Sequence, residues 1–421
     1  FNLKDLSVDR ELNLPLVYTS TSGSTGAPCY FHRSFDLDWR SSVIHELFYT
    51  STKSHIADVP KLVIDCFGMG VWIGGLITYE AFTYAQKRGY PISIITPGIN
   101  KSEIVKALKL LAPSYKQIII AGYAPFVKDV IDDASETIDL KKMNIRFIFA
   151  AEVFTEDFRN YIAKKAGVKN ILTDTMNIYG SADLGTMAFE TPVSILIRRL
   201  LIKERKTFEK IFGSINRTPT LAQYIPSFIC FENDSDQNIK ITGDNTLPLV
   251  RYEIGDHGGT FSFKELEKRL LESGIDIRKE AKKHGVSAYL YELPFVYVYE
   301  RSDFSTTLYG LQIYPEAIKE ALIQNPLQEF VTGKVALETK FDKNQDQYLL
   351  INIETRKKKK VSKTTEKMVL GYIVKFLEQT NAEYQELRKF LGDRALPVLA
   401  FHPPEDEKYF KVGIKQKWVL K

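Results

Sequence analysis

Cysteine and long apolar segments are both scarce in this sequence, and each scarcity argues against a class of protein. Only three cysteines, Cys29, Cys66 and Cys230, occur among the 421 residues. Their odd number and wide spacing argue against a disulfide framework and favour a reducing, cytoplasmic compartment. Lys, Arg, Asp or Gly interrupts every hydrophobic run before the roughly 20 residues that a membrane helix needs. We therefore expect no membrane span.

Metal-ligand spacings are missing as well. The six histidines and three cysteines form neither a CxxC nor an HxxxH pattern, which argues against a dedicated zinc site. Any metal is expected to arrive together with a phosphate group. The chain begins at Phe1 without a methionine or a signal-peptide pattern, so the completeness of this end is left open.

A strong charge of one sign is also absent. The 57 Lys and Arg residues exceed the 52 Asp and Glu residues by five, which is mild for this length and typical of a solvated surface. The densest basic run is Arg356-Lys357-Lys358-Lys359-Lys360, which precedes a helix start with a capping signal, Ser362-Lys363-Thr364-Thr365-Glu366. This position indicates a solvated turn. Nucleic-acid binding through the run would be salt-sensitive, and we do not expect it.

The first part of the sequence alternates strand-like and helical segments. Short β-branched runs lie at 62–67, 92–95, 117–120 and 145–149, with helical stretches at 73–88, 101–111 and 125–136. This alternation predicts a large α/β domain with a mostly parallel sheet covered by helices. From about residue 239 to residue 300, shorter strands and turns predict an antiparallel or barrel-like subdomain, with an insertion or bridging helix at 263–284.

The last part of the sequence has a different composition of elements. Strand-like runs lie at 306–313, 329–338, 347–354 and 396–401, and helical runs at 315–324, 363–380 and 382–391. These elements fit a small α+β domain of about 115 residues. We therefore expect an N-terminal domain of residues 1–300 and a C-terminal domain of residues 304–421.

A loop rich in small hydroxyl residues and glycine follows the first strand-like segment. Its backbone N–H groups and hydroxyls suit a triphosphate, although a flexible Ser/Gly turn is the alternative on composition. It is not a Walker A loop, because no Gly-Lys-Ser/Thr follows. A second cluster, Gly68 to Gly75, lacks the GxGxxG spacing of a dinucleotide site. The loop residues are Thr21, Ser22, Gly23, Ser24, Thr25 and Gly26.

Further motifs follow this loop in a fixed order. They are Ala150-Ala151-Glu152, Tyr179-Gly180-Ser181-Ala182-Asp183, Arg251-Tyr252-Glu253-Ile254-Gly255-Asp256, Glu300-Arg301-Ser302-Asp303 and Gly413-Ile414-Lys415-Gln416-Lys417-Trp418-Val419. Together with the loop, they resemble the adenylate-forming superfamily, which includes the acyl-CoA synthetases. The resemblance is nearest to the phenylacetate-CoA ligases and their CapK-like relatives near capsule-biosynthesis genes. It spans nearly the whole chain, except that residues 191–226 have no counterpart that we can align.

The resemblance implies a nucleotide site in the large domain. In that family the Ser/Thr/Gly loop holds the β- and γ-phosphates of ATP. By the same resemblance, Ala151 and Glu152 lie beside the adenine, and Tyr179, followed by Gly180, stacks on it. Asp256 would accept hydrogen bonds from both ribose hydroxyls, a task for an acceptor-only carboxylate.

The resemblance also implies the remaining parts of the machinery. Asp183 would hold Mg²⁺ where the family pattern has Glu, and Tyr123 would line the acyl pocket. Arg301 would reach the nucleotide, and Asp303 would be the pivot of an interdomain hinge at 301–303, which makes the C-terminal domain a mobile lid. Lys415 would be the catalytic lysine of the tail, with Lys417 as the alternative.

The implied function is an AMP-forming ligase that uses ATP and Mg²⁺ to activate a small carboxylic acid as an acyl-adenylate and transfers the acyl group to coenzyme A. An amine, a carrier-protein thiol or another nucleophile is the alternative acceptor. A non-catalytic nucleotide-binding homologue is the second alternative, because Cys29, Asp183 and Glu300 stand where the family has Lys, Glu and Gly. The identity of the acid and the oligomeric state, with a homodimer among the options, stay open.

Overall fold

In the computed structural model the chain divides into two units at the junction of residues 300 and 301. The structure describes residues 16–20, 30–51, 58–213, 218–243, 248–299, 305–322, 324–356, 359, 361–404, 406, 408–410 and 419–420. Residues up to 299 of this set belong to the first unit and residues from 305 onward to the second. No helix within these ranges is long and apolar enough to cross a membrane.

One eleven-stranded mixed sheet organises the first unit, with the strand order β10-β11-β12-β13-β9-β8-β7-β6-β5-β3-β4. The strands are β3 (Lys61–Asp65), β4 (Ile92–Ile95), β5 (Gln117–Tyr123), β6 (Ile145–Ala150), β7 (Thr175–Ser181), β8 (Gly185–Phe189), β9 (Thr220–Gln223), β10 (Ile229–Asn233), β11 (Asn238–Gly243), β12 (Leu249–Phe261) and β13 (Phe295–Tyr299). A separate hairpin of β1 (Val17–Ser20) and β2 (Tyr30–Arg33) precedes them.

Nine α-helices accompany these strands in the described part of the first unit. They are α1 (Phe35–Thr50), α2 (Ile73–Lys87), α3 (Lys101–Leu110), α4 (Ala124–Ser135), α5 (Glu156–Ala166), α6 (Pro192–Lys203), α7 (Arg205–Phe212), α8 (Phe263–Glu272) and α9 (Ile277–Lys283). Residues 191–226, which had no counterpart in the sequence analysis, form α6, α7 and β9 where described. Helix α6 begins with Pro192 after a capping box between Thr191 and Ser194.

The half of the sheet formed by β4, β3, β5, β6 and β7 is parallel. Its strands are short, β-branched and buried because helices cover them. Ile44 and Phe48 of α1 and Phe82 of α2 pack against Val63 and Ile119 on one face, while α4 packs on β5 and lies between α3 and α5. The predicted α/β class of the large domain is confirmed.

The other half of the sheet is antiparallel and continuous with the parallel half. The strands predicted as a barrel-like subdomain are hydrogen-bonded into the same sheet through the pairing of β13 with β9. Side chains from β8 and β10 to β13, including Met187, Phe231, Ile241, Ile254 and Val296, pack into one cluster. This end of the sheet therefore curls around its own core.

The second unit contains a three-stranded sheet, a short hairpin and three helices in its described residues. Its elements are β14 (Thr306–Leu308), β15 (Leu311–Ile313), α10 (Pro315–Leu322), β16 (Val331–Phe341), β17 (Gln347–Thr355), α11 (Lys363–Thr380), α12 (Ala382–Leu391) and β18 (Val398–His402). Strand β17 pairs antiparallel with β16 and parallel with β18. Ser362 caps α11 by accepting the N–H of Thr365, as the capping signal predicted, and the α+β class is confirmed.

Candidate functional site

Three of the predicted site segments lie at the carboxyl ends of neighbouring parallel strands. Tyr123 ends β5, Ala151 and Glu152 follow β6, and Tyr179 and Gly180 lie near the end of β7. Because β5, β6 and β7 are adjacent and parallel, these segments meet at one edge of the sheet, where ligands of α/β proteins commonly bind.

A hydrogen bond connects this edge with the antiparallel half of the sheet. The hydroxyl of Tyr179 on β7 donates to Oδ2 of Asp256 on β12, over 2.5 Å. Four steps in the strand order separate β7 from β12, which would place them about 19 Å apart in a flat sheet. The curl of the sheet therefore brings Asp256 to Tyr179. The ring of Tyr179 also contacts Phe231 on β10, with a centroid distance of 6.0 Å.

A bulge in β12 orients Asp256. The two-residue step from Asn238 to Lys240 on β11 faces the four-residue step from His257 to Glu253 on β12. The extra residues include Gly255, whose φ of +84° is in the left-handed region that glycine enters without strain. The Gly-Asp pair at the end of the Arg-Tyr-x-x-Gly-Asp motif thus has a conformational role, because a bulge re-aims the side chains beside it.

The loop after β6 contains a strained residue, and a side chain from the neighbouring strand β7 holds the loop in place. Ala151 has a φ of +73°, which costs an L-residue about 1–2 kcal/mol. The carbonyl of the next residue, Glu152, accepts the side-chain N–H of Asn177 at 3.0 Å. The Glu152 side chain is buried.

Asn177 was not singled out in the sequence analysis. Its side chain is buried, and its amide oxygen Oδ1 has no hydrogen-bond partner among the residues that the structure describes. Asn177 and Tyr179 are two positions apart on β7, so their side chains point to the same face of the sheet. This two-residue spacing from Tyr179 is the feature of the sequence that could have indicated Asn177. A buried, unsatisfied amide oxygen is unusual, and it marks a position where a ligand N–H group could bind.

A tight turn connects β7 with β8, and Gly180 lies in β7 just before it. A Cβ atom at Gly180 would approach the carbonyl oxygen of Gly185 to 2.6 Å, so the close strand pairing there requires glycine. The Ser181 hydroxyl accepts the N–H of Leu184 at 3.2 Å and shapes the turn. Asp183 lies in this turn and is half-buried. Within the described ranges, no group of three or more His, Cys, Asp or Glu residues could hold a metal.

At the end of β5, Tyr123 packs edge-on against Phe67, with ring centroids 5.1 Å apart.

Asp65, two residues before Phe67, ends β3 as a buried acid that the sequence analysis did not identify. Its Oδ1 accepts the N–H of Phe67 at 3.1 Å. Burial raises the pKa of the Asp65 carboxyl well above its ordinary value.

Several predicted site residues lie outside the described ranges. They are the loop residues Thr21 to Gly26, Arg301, Asp303 and both candidate lysines, Lys415 and Lys417. The described strands β1 and β2 flank the loop. On the tail, Leu420 donates its N–H to the carbonyl of Leu337 on β16 at 2.8 Å, so the described end of the chain lies against the sheet of the second unit.

Comparison with known proteins identifies the fold. No protein-family model and no curated protein sequence matches the chain. A crystal structure of 2-hydroxyisobutyryl-CoA ligase in complex with 2-HIB-AMP and CoA is similar, with a TM-score of 0.58 and 15% identity over 96% of this chain and 73% of that chain. The amide bond synthetase McbA from Marinactinospora thermotolerans is similar with a TM-score of 0.52 and 11% identity, over 93% of this chain and 65% of that chain. The chain therefore shares its fold with these two ligases.

Proposed function

We propose that the protein is an AMP-forming ligase that activates a carboxylic acid with ATP and transfers the acyl group to a thiol, with coenzyme A as the favoured acceptor. The observation that carries the proposal is the hydrogen bond from Tyr179 to Asp256 at the edge of the sheet where the loop of Ala151 and Glu152 also lies. The adenylate-forming fold supports the same conclusion. The free thiols of Cys66 and Cys230 fit the reducing, cytoplasmic location that we propose with it.

The residues at this edge of the sheet fit the adenosine part of ATP. Asp256 would accept hydrogen bonds from the two ribose hydroxyls, a task that suits a carboxylate because it carries several acceptor sites. The unsatisfied Oδ1 of Asn177 suits the 6-amino group of adenine. Tyr179 offers a ring face for stacking, and the strained loop at Ala151 and Glu152 would form the other wall.

In the first proposed step, an oxygen of the substrate carboxylate attacks the α-phosphorus of ATP. The bond to the β-phosphate breaks, and pyrophosphate leaves with the electron pair. Lys415 and the N–H and hydroxyl donors of residues 21–26 would stabilise the negative charge that develops. Mg²⁺, bound to the phosphates near Asp183, would neutralise further charge.

In the second proposed step, the thiol sulfur attacks the carbonyl carbon of the acyl-adenylate. The bond to AMP breaks, AMP leaves with the electron pair, and the thiol proton passes to solvent. We assign adenylation to residues 1–300, the hinge to 301–303 with Asp303 as pivot, and the mobile lid to residues 304–421. Exchange of the lid face would let one site perform both steps.

An amine is the second candidate acceptor. The similarity to an amide bond synthetase favours including it, since that name describes acyl transfer to nitrogen. A carrier-protein thiol is the third. The three are distinguished by incubating the protein with ATP, Mg²⁺ and a panel of acids, then supplying coenzyme A, simple amines or a carrier protein and identifying the acylated product by mass spectrometry.

The candidate lysines provide a matched pair for the first step. Lys415→Ala should abolish acid-dependent pyrophosphate release while sparing thioester formation from a supplied acyl-adenylate, and Lys417→Ala should retain both activities. Full adenylation by Lys415→Ala would refute the assignment of that lysine. If the protein binds ATP but none of the acids tested leads to pyrophosphate release, the result would instead support the non-catalytic homologue.

A further inference from the structure

Five charged side chains, four of them buried, form a cluster next to the loop of residues 151–155, which we call the adenine-side loop. The proposed chemistry uses none of them. The cluster consists of Glu156, Arg159, Glu190, Arg198 and Arg199 from α5, α6 and the end of β8. The two carboxylates are buried, and Arg159 and Arg198 are fully buried. Removing so much charge from water is costly unless the groups are paired, which raises the question of what the cluster does.

One part of the cluster fixes the position of Asn177. Arg159 donates from Nη2 to both oxygens of Glu190, at 2.7 and 2.8 Å. Glu190 Oε2 also accepts the backbone N–H of Asn177 at 2.9 Å, and Asn177 in turn donates to the Glu152 carbonyl. A continuous chain of hydrogen bonds therefore runs from Arg159 to the adenine-side loop.

A second part of the cluster holds the other end of this loop. Arg198 donates from Nη2 to the carbonyl oxygen of Phe154 and from Nη1 to Glu156 at 2.6 Å. Burial tends to raise the pKa of the Glu156 carboxyl, but the charges of Arg159, Arg198 and Arg199 outweigh burial and hold this pKa below its ordinary value. Glu156 thus stays ionised and keeps Arg198 in place.

The adenine-side loop needs such support because its own conformation is unfavourable. Ala151 is in the left-handed region, and strained residues persist only where the surroundings determine them. The two attachment points, the carbonyls of Glu152 and Phe154, lie on the C-terminal side of Ala151. A stabilising role for the whole fold would not require contacts at these particular carbonyls.

We propose that the cluster positions the adenine-side loop for nucleotide binding, with Arg198 and Glu190 as positioning residues that do not touch the nucleotide themselves. The proposal rests on the proposed function and deepens it. It predicts that weakening the cluster changes the KM for ATP and leaves the KM for the acid and kcat largely unchanged. A merely structural role would lower thermal stability without this selective change.

Arg146 provides a matched control. It is as fully buried as Arg198, pairs with the carboxylate of Asp174 at 3.3 Å and donates to the backbone carbonyls of Phe48 and Thr173. Arg146, however, is the second residue of β6 and lies toward the opposite end of that strand from the adenine-side loop. Lys at either position keeps the charge but loses the planar fork that makes several bonds at once.

The test compares wild type, Arg198→Lys, Glu190→Gln and Arg146→Lys in acid-dependent pyrophosphate exchange, together with calorimetric binding of ATP and thermal melting. Arg198→Lys and Glu190→Gln should raise the KM and Kd for ATP about tenfold and leave the KM for the acid within about twofold. Arg146→Lys should lower the melting temperature to a similar extent with the KM for ATP unchanged.

The outcomes separate the two proposals. If both cluster variants fold and keep the wild-type KM and Kd for ATP, or if Arg146→Lys raises them equally, the positioning role is wrong while the proposed function stands. If the wild-type protein neither binds ATP nor performs the exchange with any acid, both proposals fail. If Arg198→Lys does not fold, the near-isosteric Glu190→Gln decides the result alone.

Discussion

Tyr179 donates its hydroxyl to Asp256 over 2.5 Å, although the strands that carry these residues are four steps apart in the sheet. The bond orients the carboxylate that we assign to the ribose. Tyr179→Phe should therefore weaken ATP binding about tenfold, which corresponds to about 1.4 kcal/mol for a charge-assisted hydrogen bond. Calorimetric titration of ATP measures the change.

Tyr224 offers the control for this variant. Its ring packs on the same Phe231, with centroids 4.9 Å apart, so Tyr224→Phe removes a hydroxyl from the same cluster of rings. Unchanged ATP affinity in Tyr224→Phe and a loss in Tyr179→Phe would support the role of the Tyr179–Asp256 bond. Equal effects would attribute the loss to packing. Combining Tyr179→Phe with Asp256→Asn should give a smaller effect than the sum of the two single changes.

The conformation of Gly255 predicts a second effect. Gly255→Ala should destabilise the fold by about 1 kcal/mol and also weaken ATP binding, because the bulge directs Asp256. Gly274, between α8 and α9, is an unusually close control: its φ is +85° against +84° for Gly255, and a Cβ atom at either position meets no atom within 4 Å. Gly274→Ala should show the same loss in urea denaturation with unchanged ATP affinity. Equal ATP affinity in both variants would contradict the role of the bulge.

The unsatisfied amide oxygen of Asn177 predicts base selectivity. ITP carries an oxygen where ATP has its 6-amino group, so an acceptor at Asn177 Oδ1 discriminates against ITP. Asn177→Ala should therefore reduce the ratio of kcat/KM for ATP to that for ITP, by about tenfold if one hydrogen bond is lost. The KM for ATP alone is a weaker measure, because this change also releases the Glu152 carbonyl. A ratio that stays at the wild-type value would exclude this contact.

His45 predicts a dependence of stability on pH. Burial lowers the pKa of this histidine from 6.5 to about 4, so the unfolded chain takes up a proton more readily than the folded chain as the pH falls. The contribution of the neutral His45 to the free energy of unfolding is thus fully present above pH 6.5. It decreases by about 3 kcal/mol as the pH falls from 6.5 toward 4. The ring donates from Nδ1 to the Ser41 carbonyl at 2.8 Å, a bond that an asparagine amide can replace.

The stability difference between wild type and His45→Asn should therefore shift by about 3 kcal/mol in favour of the variant between pH 7 and pH 4. Urea denaturation at the two pH values measures this change. Because both proteins share all other titrating groups, a difference that is independent of pH would contradict the assignment of a buried neutral histidine.

The sequence was sufficient for the fold class because periodicity is local. The runs at 62–67 and 117–120 predicted β3 and β5, and the capping signal at Ser362 predicted the start of α11. Residues 239–300 were predicted to be antiparallel, but their continuity with the parallel strands depends on the pairing of β13 with β9, two strands separated by more than 70 residues of sequence.

The site was harder to predict because its contacts join residues that are far apart in the sequence. The motifs indicated Tyr179 and Asp256 separately, yet their hydrogen bond depends on the curl of the sheet. Nothing in residues 191–226 indicated that Arg198 would hold the Phe154 carbonyl, 44 residues earlier in the chain. Asn177 was hidden because its importance depends on an oxygen that other residues leave unsatisfied, which no local pattern reveals.

Acid-dependent exchange of labelled pyrophosphate into ATP tests the central claim most directly, because it reports the adenylation step alone and needs no acceptor. Wild-type protein with ATP, Mg²⁺ and a panel of carboxylic acids should show exchange with at least one acid. Asp256→Ala should lose most of it, since the ribose would lack its carboxylate. Absence of exchange with every acid, in a protein shown by calorimetry to bind ATP, would contradict the proposed adenylation activity.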